Sequence, residues 1–62
     1  MTPKEKAIEL FKQYYSYLKA NLMNDEEALE DAKVCALIAV DMMIEETRNK
    51  FWYDVKHELE KL

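Results

Sequence analysis

Residues 33–44 read KVCALIAVDMMI, and after Lys33 they hold a single charged side chain, Asp41, among ten apolar residues. On a helix with 100° per residue, five apolar residues of this region and the turns before it fall within about 80° of each other. They are Ala28, Ala32, Ala36, Ala39 and Met43. The opposite side carries Val34, Cys35, Ile38 and Met42. A helix that is apolar nearly all the way round is typically buried on all sides.

Signals for helix starts and ends divide the 62-residue chain into three helices. The start Thr2-Pro3-Lys4-Glu5 fits a capping box with proline at the first helical position. Asn24 before Asp25-Glu26-Glu27 is a second N-cap signal. We predict helices at about residues 3–20, 25–47 and 50–62, in one domain spanning residues 1–62. The break at 47–49 is weakly marked, with Asn49 as a candidate cap, and a single helix from 25 to 62 is the competing arrangement.

The predicted fold is all-α: a helical hairpin plus a short C-terminal helix, assembling as a homo-oligomeric helical bundle. Two partner helices cannot cover the whole circumference of the second helix, whereas another copy of the chain can, most simply in a two-fold dimer. Chains this small usually need a disulfide, a metal or oligomerisation. One cysteine and one histidine exclude an intrachain disulfide and the usual zinc spacings. A monomer with a few exposed apolar residues is the alternative.

Composition also limits the possible binding partners and the cellular location of the protein. The net charge of −4 makes nucleic acid an unlikely partner. The N-terminal residues are too polar for a signal peptide, and no apolar run approaches the roughly 18 residues of a membrane span. We therefore expect no membrane association and a cytoplasmic protein.

Asp41 has three interpretations. Inside an apolar helix, an ionised carboxylate has to be paired or hydrogen-bonded. The available partners are Lys33, Lys56, the Trp52 indole and the hydroxyls of Tyr14, Tyr15, Tyr17 and Tyr53. Asp41 then either fixes the helix register near a subunit interface, lines a ligand pocket, or is simply exposed to solvent.

Tyrosines, a tryptophan and lysines form a candidate ligand site. Aromatic rings beside lysines make good walls for an anion, and a helix N-terminus offers free N–H groups. The candidates are Lys4, Lys6, Tyr14, Tyr17, Lys33, Asp41, Trp52 and Lys56. The plainer interpretation of the same residues is core packing for the aromatics and solvation for the lysines.

Catalysis and metal binding have little support in the sequence. Cys35 and His57 could form a nucleophile pair, but Cys35 lies among apolar residues, which make a thiol unreactive. The acidic residues 25–31 lack the glycine and alternating spacing of a calcium loop. We therefore expect a non-enzymatic protein without cofactor or metal.

Three segments carry a resemblance: residues 2–7, TPKEKA; residues 33–41, KVCALIAVD; and residues 52–62, WYDVKHELEKL. Together they resemble a group of very small helical proteins encoded by bacteriophages of gut bacteria. In that group Glu-Ile-Ile follows the aspartate, whereas Met42-Met43-Ile44 stands here, so no role of that glutamate is transferred.

The resemblance implies a phage accessory protein that acts stoichiometrically in the host cytosol. The expected function is sequestration of a small anionic, nucleotide-type signal of host defence at the interfaces of a homo-oligomer. The alternatives are a protein–protein interaction module that binds and inhibits a host protein, and a minor structural component of the virion.

Overall fold

Three α-helices make up the computed structural model, which describes residues 1–21 and 24–62. α1 is Pro3–Ala20, α2 is Asp25–Thr47 and α3 is Lys50–Lys61. Each helix packs against both of the others, so the predicted all-α domain of three helices is confirmed. With 23 residues, α2 is about 34 Å long at 1.5 Å per residue. It therefore spans nearly the whole 35 Å length of the molecule.

Side-chain caps begin the first two helices at the expected residues. The Thr2 hydroxyl accepts from the Glu5 N–H at 3.2 Å, and the Thr2 N–H donates to the Glu5 carboxylate at 2.9 Å. This capping box lowers the pKa of Glu5, chiefly through the backbone N–H of Thr2. The Asn24 side chain accepts from the Glu27 N–H at 2.8 Å. Both predicted N-caps are confirmed.

The link between α2 and α3 consists of Arg48 and Asn49. Arg48 takes the left-handed conformation, with φ 52° and ψ 31°, and its N–H donates to the Ile44 carbonyl at 2.8 Å. The Thr47 hydroxyl accepts from the Asn49 N–H, and the Asn49 side chain in turn accepts from the Phe51 N–H. The predicted break at 47–49 is therefore present, and Asn49 serves as the N-cap of α3.

The core is small and is lined by short side chains from α2. The fully buried apolar residues among those described are Ala7, Ala28, Ala32, Ala36, Val40, Val55 and Leu59, and all of these except Ala28 and Ala32 form one cluster. Half-buried apolar residues pack around this cluster: Leu10, Phe11, Tyr14, Leu37, Ile44, Phe51 and Trp52. Leu62 is 55% exposed because it lies beyond the end of α3.

Only one side of α2 is buried within the single chain. The inner face of α2 consists of Ala28, Ala32, Ala36 and Val40, each 0% exposed and spaced by four residues. The expectation that α2 is buried on all sides does not hold within one chain, because α1 and α3 both pack on this inner face. Whether a second copy covers the other side is a matter of assembly, and the homo-oligomer stays a prediction.

Candidate functional site

The most conspicuous unpartnered feature is a row of three apolar side chains on the outside of α2. Val34, Ile38 and Met42 are 53%, 56% and 63% exposed. Their spacing of four residues puts them in line along the helix, and we call this row the outer ridge. It spans about 12 Å, or roughly two helical turns. Three large apolar side chains in line on one surface form a contiguous patch, which is characteristic of a contact site.

Carboxylates stand at both ends of the outer ridge. Residues three or four apart are neighbours on a helix surface. Accordingly, the N-terminal end of the ridge, at Val34, is next to Glu30 and Asp31. Its middle, at Ile38, is next to Asp41, and its C-terminal end, at Met42, is next to Glu45. We call these four exposed residues the acidic border. Within residues 1–21 and 24–62, no lysine or arginine forms a salt bridge with Glu30, Asp31 or Glu45.

Asp41 is the one member of the acidic border with a basic partner. Its carboxylate lies 3.0 Å from the Lys56 ammonium of α3, with the two side chains 54% and 39% exposed. The hydrogen bond from Lys56 to Asp41, with the Coulomb attraction between them, raises the pKa of Lys56 above its ordinary value. Asp41 is thus an exposed residue that ties α2 to α3, and of the predicted partners it uses Lys56. Ion pairs this exposed contribute little to stability.

An open groove runs beside the outer ridge between α2 and α3. Its lining residues are Ile38, Asp41, Met42, Ile44, Glu45 and Lys56. The groove therefore combines apolar walls with two carboxylates and one ammonium group. This combination suits a long side chain that carries a charge at the end of an aliphatic stem.

The other candidate residues are divided among separate surfaces. Lys6 and Trp52 line an apolar groove with Leu10 and Met43, and the Lys6 ammonium is paired with Glu9 at 2.8 Å. Tyr14 and Tyr17 line a second groove together with Cys35.

Lys4 lies at a third place, near His57 and Lys61. Lys33 donates to the Glu60 carbonyl of α3 at 3.2 Å. Among the grooves of the described residues, therefore, Lys6 shares one with Trp52, Tyr14 one with Tyr17, and Asp41 one with Lys56. The eight predicted residues do not form a single site there.

Of the residues that form the outer ridge and its acidic border, only Asp41 was part of the predicted site. The outer ridge is visible in the sequence as the second apolar side of the helix, but periodicity alone does not say which side faces the core. Glu30 and Asp31 look like an ordinary solvated first turn of a helix. The available signal was their position four and three residues before Val34, with Glu45 repeating this spacing three residues after Met42.

Two further properties of the described residues bear on the site. Within residues 1–21 and 24–62, no group of three histidine, cysteine, aspartate or glutamate side chains is arranged to hold a metal ion. Over the same residues, no helix has the length and apolar character needed to cross a membrane.

Comparison of the chain with protein-family models, with curated proteins and with solved structures finds no match. The function of the protein is therefore inferred from its own residues and their geometry, and above all from the outer ridge and its acidic border.

Proposed function

We propose that this protein is a non-enzymatic interaction module that binds another protein through the outer ridge of α2. The observation that supports the proposal is the exposure of three consecutive ridge residues, each by more than half. Burial of apolar surface against a partner contributes about 25 cal/mol of favourable free energy per Å². The single chain leaves this contribution unused at the ridge. A ridge of two turns is a small contact, which suits a reversible complex.

Sequestration of a nucleotide-type anion stays a prediction. Small-molecule sites are concave and enclose most of the ligand, with a few polar groups converging on it. Except for Lys33, which donates to the Glu60 carbonyl, the predicted lysines and aromatics are divided among four separate open grooves. A single site built from them would need residues from a second copy. The interaction module needs only the surface that one chain already presents.

The resemblance to small phage-encoded proteins gives the proposal its biological setting. The partner, on this proposal, is a bacterial host protein that the module occupies stoichiometrically. The acidic residues near the ridge would orient the partner and increase its association rate, while the affinity would come from the burial of apolar surface.

Site-specific photo-crosslinking tests the proposed function. A photoreactive benzoylphenylalanine replaces Ile38 in the chain, which is expressed in a gut bacterium and irradiated. Leu29 is the matched control position, because it is also an exposed apolar residue of α2 and lies half a turn away from Ile38 around the helix.

The expected result is one dominant covalent adduct with another protein from position 38 and none from position 29. Adducts of equal yield from both positions, or no adduct from position 38, would contradict the proposed function. An adduct made only of two copies of this chain would support self-assembly in its place.

A further inference from the structure

We infer that the partner surface that fits the outer ridge is a basic amphipathic helix, with a short apolar stripe flanked by lysine or arginine. The inference rests on the proposed function and specifies its partner. It comes from three observations: the length of the ridge, the sign of the charges around it, and the composition of the adjoining groove.

The charges of α2 are almost all of one sign. Lys33 is the only basic residue between Asp25 and Thr47, and its ammonium group is turned to the Glu60 carbonyl of α3. The acidic border is thus not neutralised from within its own helix. Of its four carboxylates, only that of Asp41 has a salt-bridge partner among the described residues. A partner with positive charge at both ends of the ridge would form salt bridges with the other three carboxylates.

A second copy of this chain fits the same surface poorly. In an antiparallel two-fold pairing centred on Ile38, Val34 would lie opposite Met42, which is favourable, but Asp31 would lie opposite Glu45. In a parallel pairing each carboxylate would face its own counterpart. Both arrangements bring like charges together across the contact, and such juxtapositions discriminate against a partner.

The groove beside the ridge is matched to a basic side chain. Ile38, Met42 and Ile44 offer apolar walls, while Asp41 and Glu45 stand at the rim. Lysine and arginine bury their aliphatic stems along apolar surface and keep the charged head in water. Lys56 already occupies one side of Asp41, so Glu45 is the carboxylate that remains for the incoming head group.

The geometry also sets the length of the partner segment. From Glu30 to Glu45 the face covers about 23 Å, so a helix of about 16 residues matches it, and one of about 18 residues covers it with one residue to spare at each end. The apolar stripe occupies the central two turns of such a helix, and its basic residues lie about one turn beyond each end. Amphipathic helices commonly bind in this way, through a few apolar anchors in line.

The test uses two synthetic helical peptides of about 18 residues. Both carry the same central leucine stripe; one has lysine and arginine at the flanks, and the other has glutamate at the same positions. Binding to the full chain is measured by fluorescence anisotropy at low and at physiological salt. Two variants accompany the wild type: Ile38→Ser in the ridge and Leu29→Ser as the control, which removes an exposed apolar side chain elsewhere on α2.

The expected result is that the basic peptide binds at least about tenfold more tightly than the acidic one, with a preference that shrinks as salt rises. Ile38→Ser is expected to weaken binding of the basic peptide by about tenfold, and Leu29→Ser by less than about twofold. Circular dichroism verifies that both variants remain folded.

Three outcomes would overturn the inference. Equal affinity for the two peptides, still lost in Ile38→Ser, would remove the basic partner while leaving the interaction function in place. If neither peptide binds in a way that depends on Ile38, the basic partner is likewise ruled out. The photo-crosslinking experiment then tests the proposed function separately. A dimer in sedimentation at low micromolar concentration that Ile38→Ser dissociates would identify a second copy as the occupant of the ridge.

Discussion

The two sides of α2 are both apolar, yet they differ in side-chain size and in what they contact. The inner face is made mainly of alanines, which let α1 and α3 approach the helix closely. The outer ridge carries larger side chains that no part of the described chain covers. In α2, therefore, the small residues mark the contacts made within the chain, and the bulky ones mark the side that the described residues leave exposed.

The largest loss of stability is expected when the largest buried side chain that packs against the inner face is shortened. Leu59→Ala leaves a cavity beside Ala36 and Val40, and we expect it to cost roughly 2–5 kcal/mol. A domain this small has only about 3–5 kcal/mol to lose, so the variant should be largely unfolded at 37 °C. Urea unfolding followed by far-ultraviolet circular dichroism measures the loss. The exposed Leu62→Ala is the control, and equal losses would contradict the assigned core.

The same substitution on opposite sides of α2 tests the comparison directly. Val40→Ala should lower the free energy of unfolding by roughly 2 kcal/mol, because two buried methyl groups are lost. Val34→Ala should change it by less than about 0.5 kcal/mol, because Val34 is exposed and alanine is a better helix former. Thermal and urea unfolding of the two variants side by side provides the measurement. A large loss in Val34→Ala at low protein concentration would mean that the ridge is covered.

A stabilising change is expected at the link that sets α3 against the inner face. Arg48 holds a left-handed conformation that glycine adopts without steric cost, so Arg48→Gly should stabilise the protein by roughly 0.5–1 kcal/mol. Arg48→Ala is the matched control, because it removes the same charge and keeps the Cβ atom. An equal gain in stability in both variants would mean that the lost charge causes the stabilisation and that the backbone conformation does not.

The smallest effect is expected from Asp41→Asn at the edge of the outer ridge. Its ion pair with Lys56 is exposed, so at neutral pH the melting temperature should change little. Because the pair raises the pKa of Lys56 above 10.5, its contribution is fully present below pH 10.5 and is lost as pH rises through the raised value. The difference in stability between wild type and variant should therefore shrink above pH 10.5. A difference that is constant with pH would argue against the pair.

The sequence is most informative about the starts of the helices and about which residues share a side of α2. Thr2 and Asn24 are followed by the residues that caps require, because capping depends on local spacing alone. The alanine stripe likewise follows from periodicity. The left-handed Arg48 had no such signal, because glycine usually marks that conformation and the chain contains none.

Less of the candidate site follows from the sequence. The partners of Asp41 could be named as a set, but the choice of Lys56 depends on the register of α3 against α2, which packing decides. The sequence shows that α2 is apolar on two sides without showing which side is covered. The predicted lysines and aromatics look like one group because their chemistry is alike, yet the three helices present them on different surfaces.

The position of the outer ridge within α2 has a consequence for the kinetics of binding. The ridge lies more than two turns after the Asn24 cap and more than one turn before the Arg48 link, so fraying of the helix ends does not reach it. On the proposed function, the surface is already helical before a partner arrives, so the ordering entropy of the complex falls on the partner. On the same proposal, the acidic border accelerates the encounter with a basic partner, and the outer ridge determines the dissociation rate. Salt should then act on the association rate, and substitution of Ile38 on the dissociation rate.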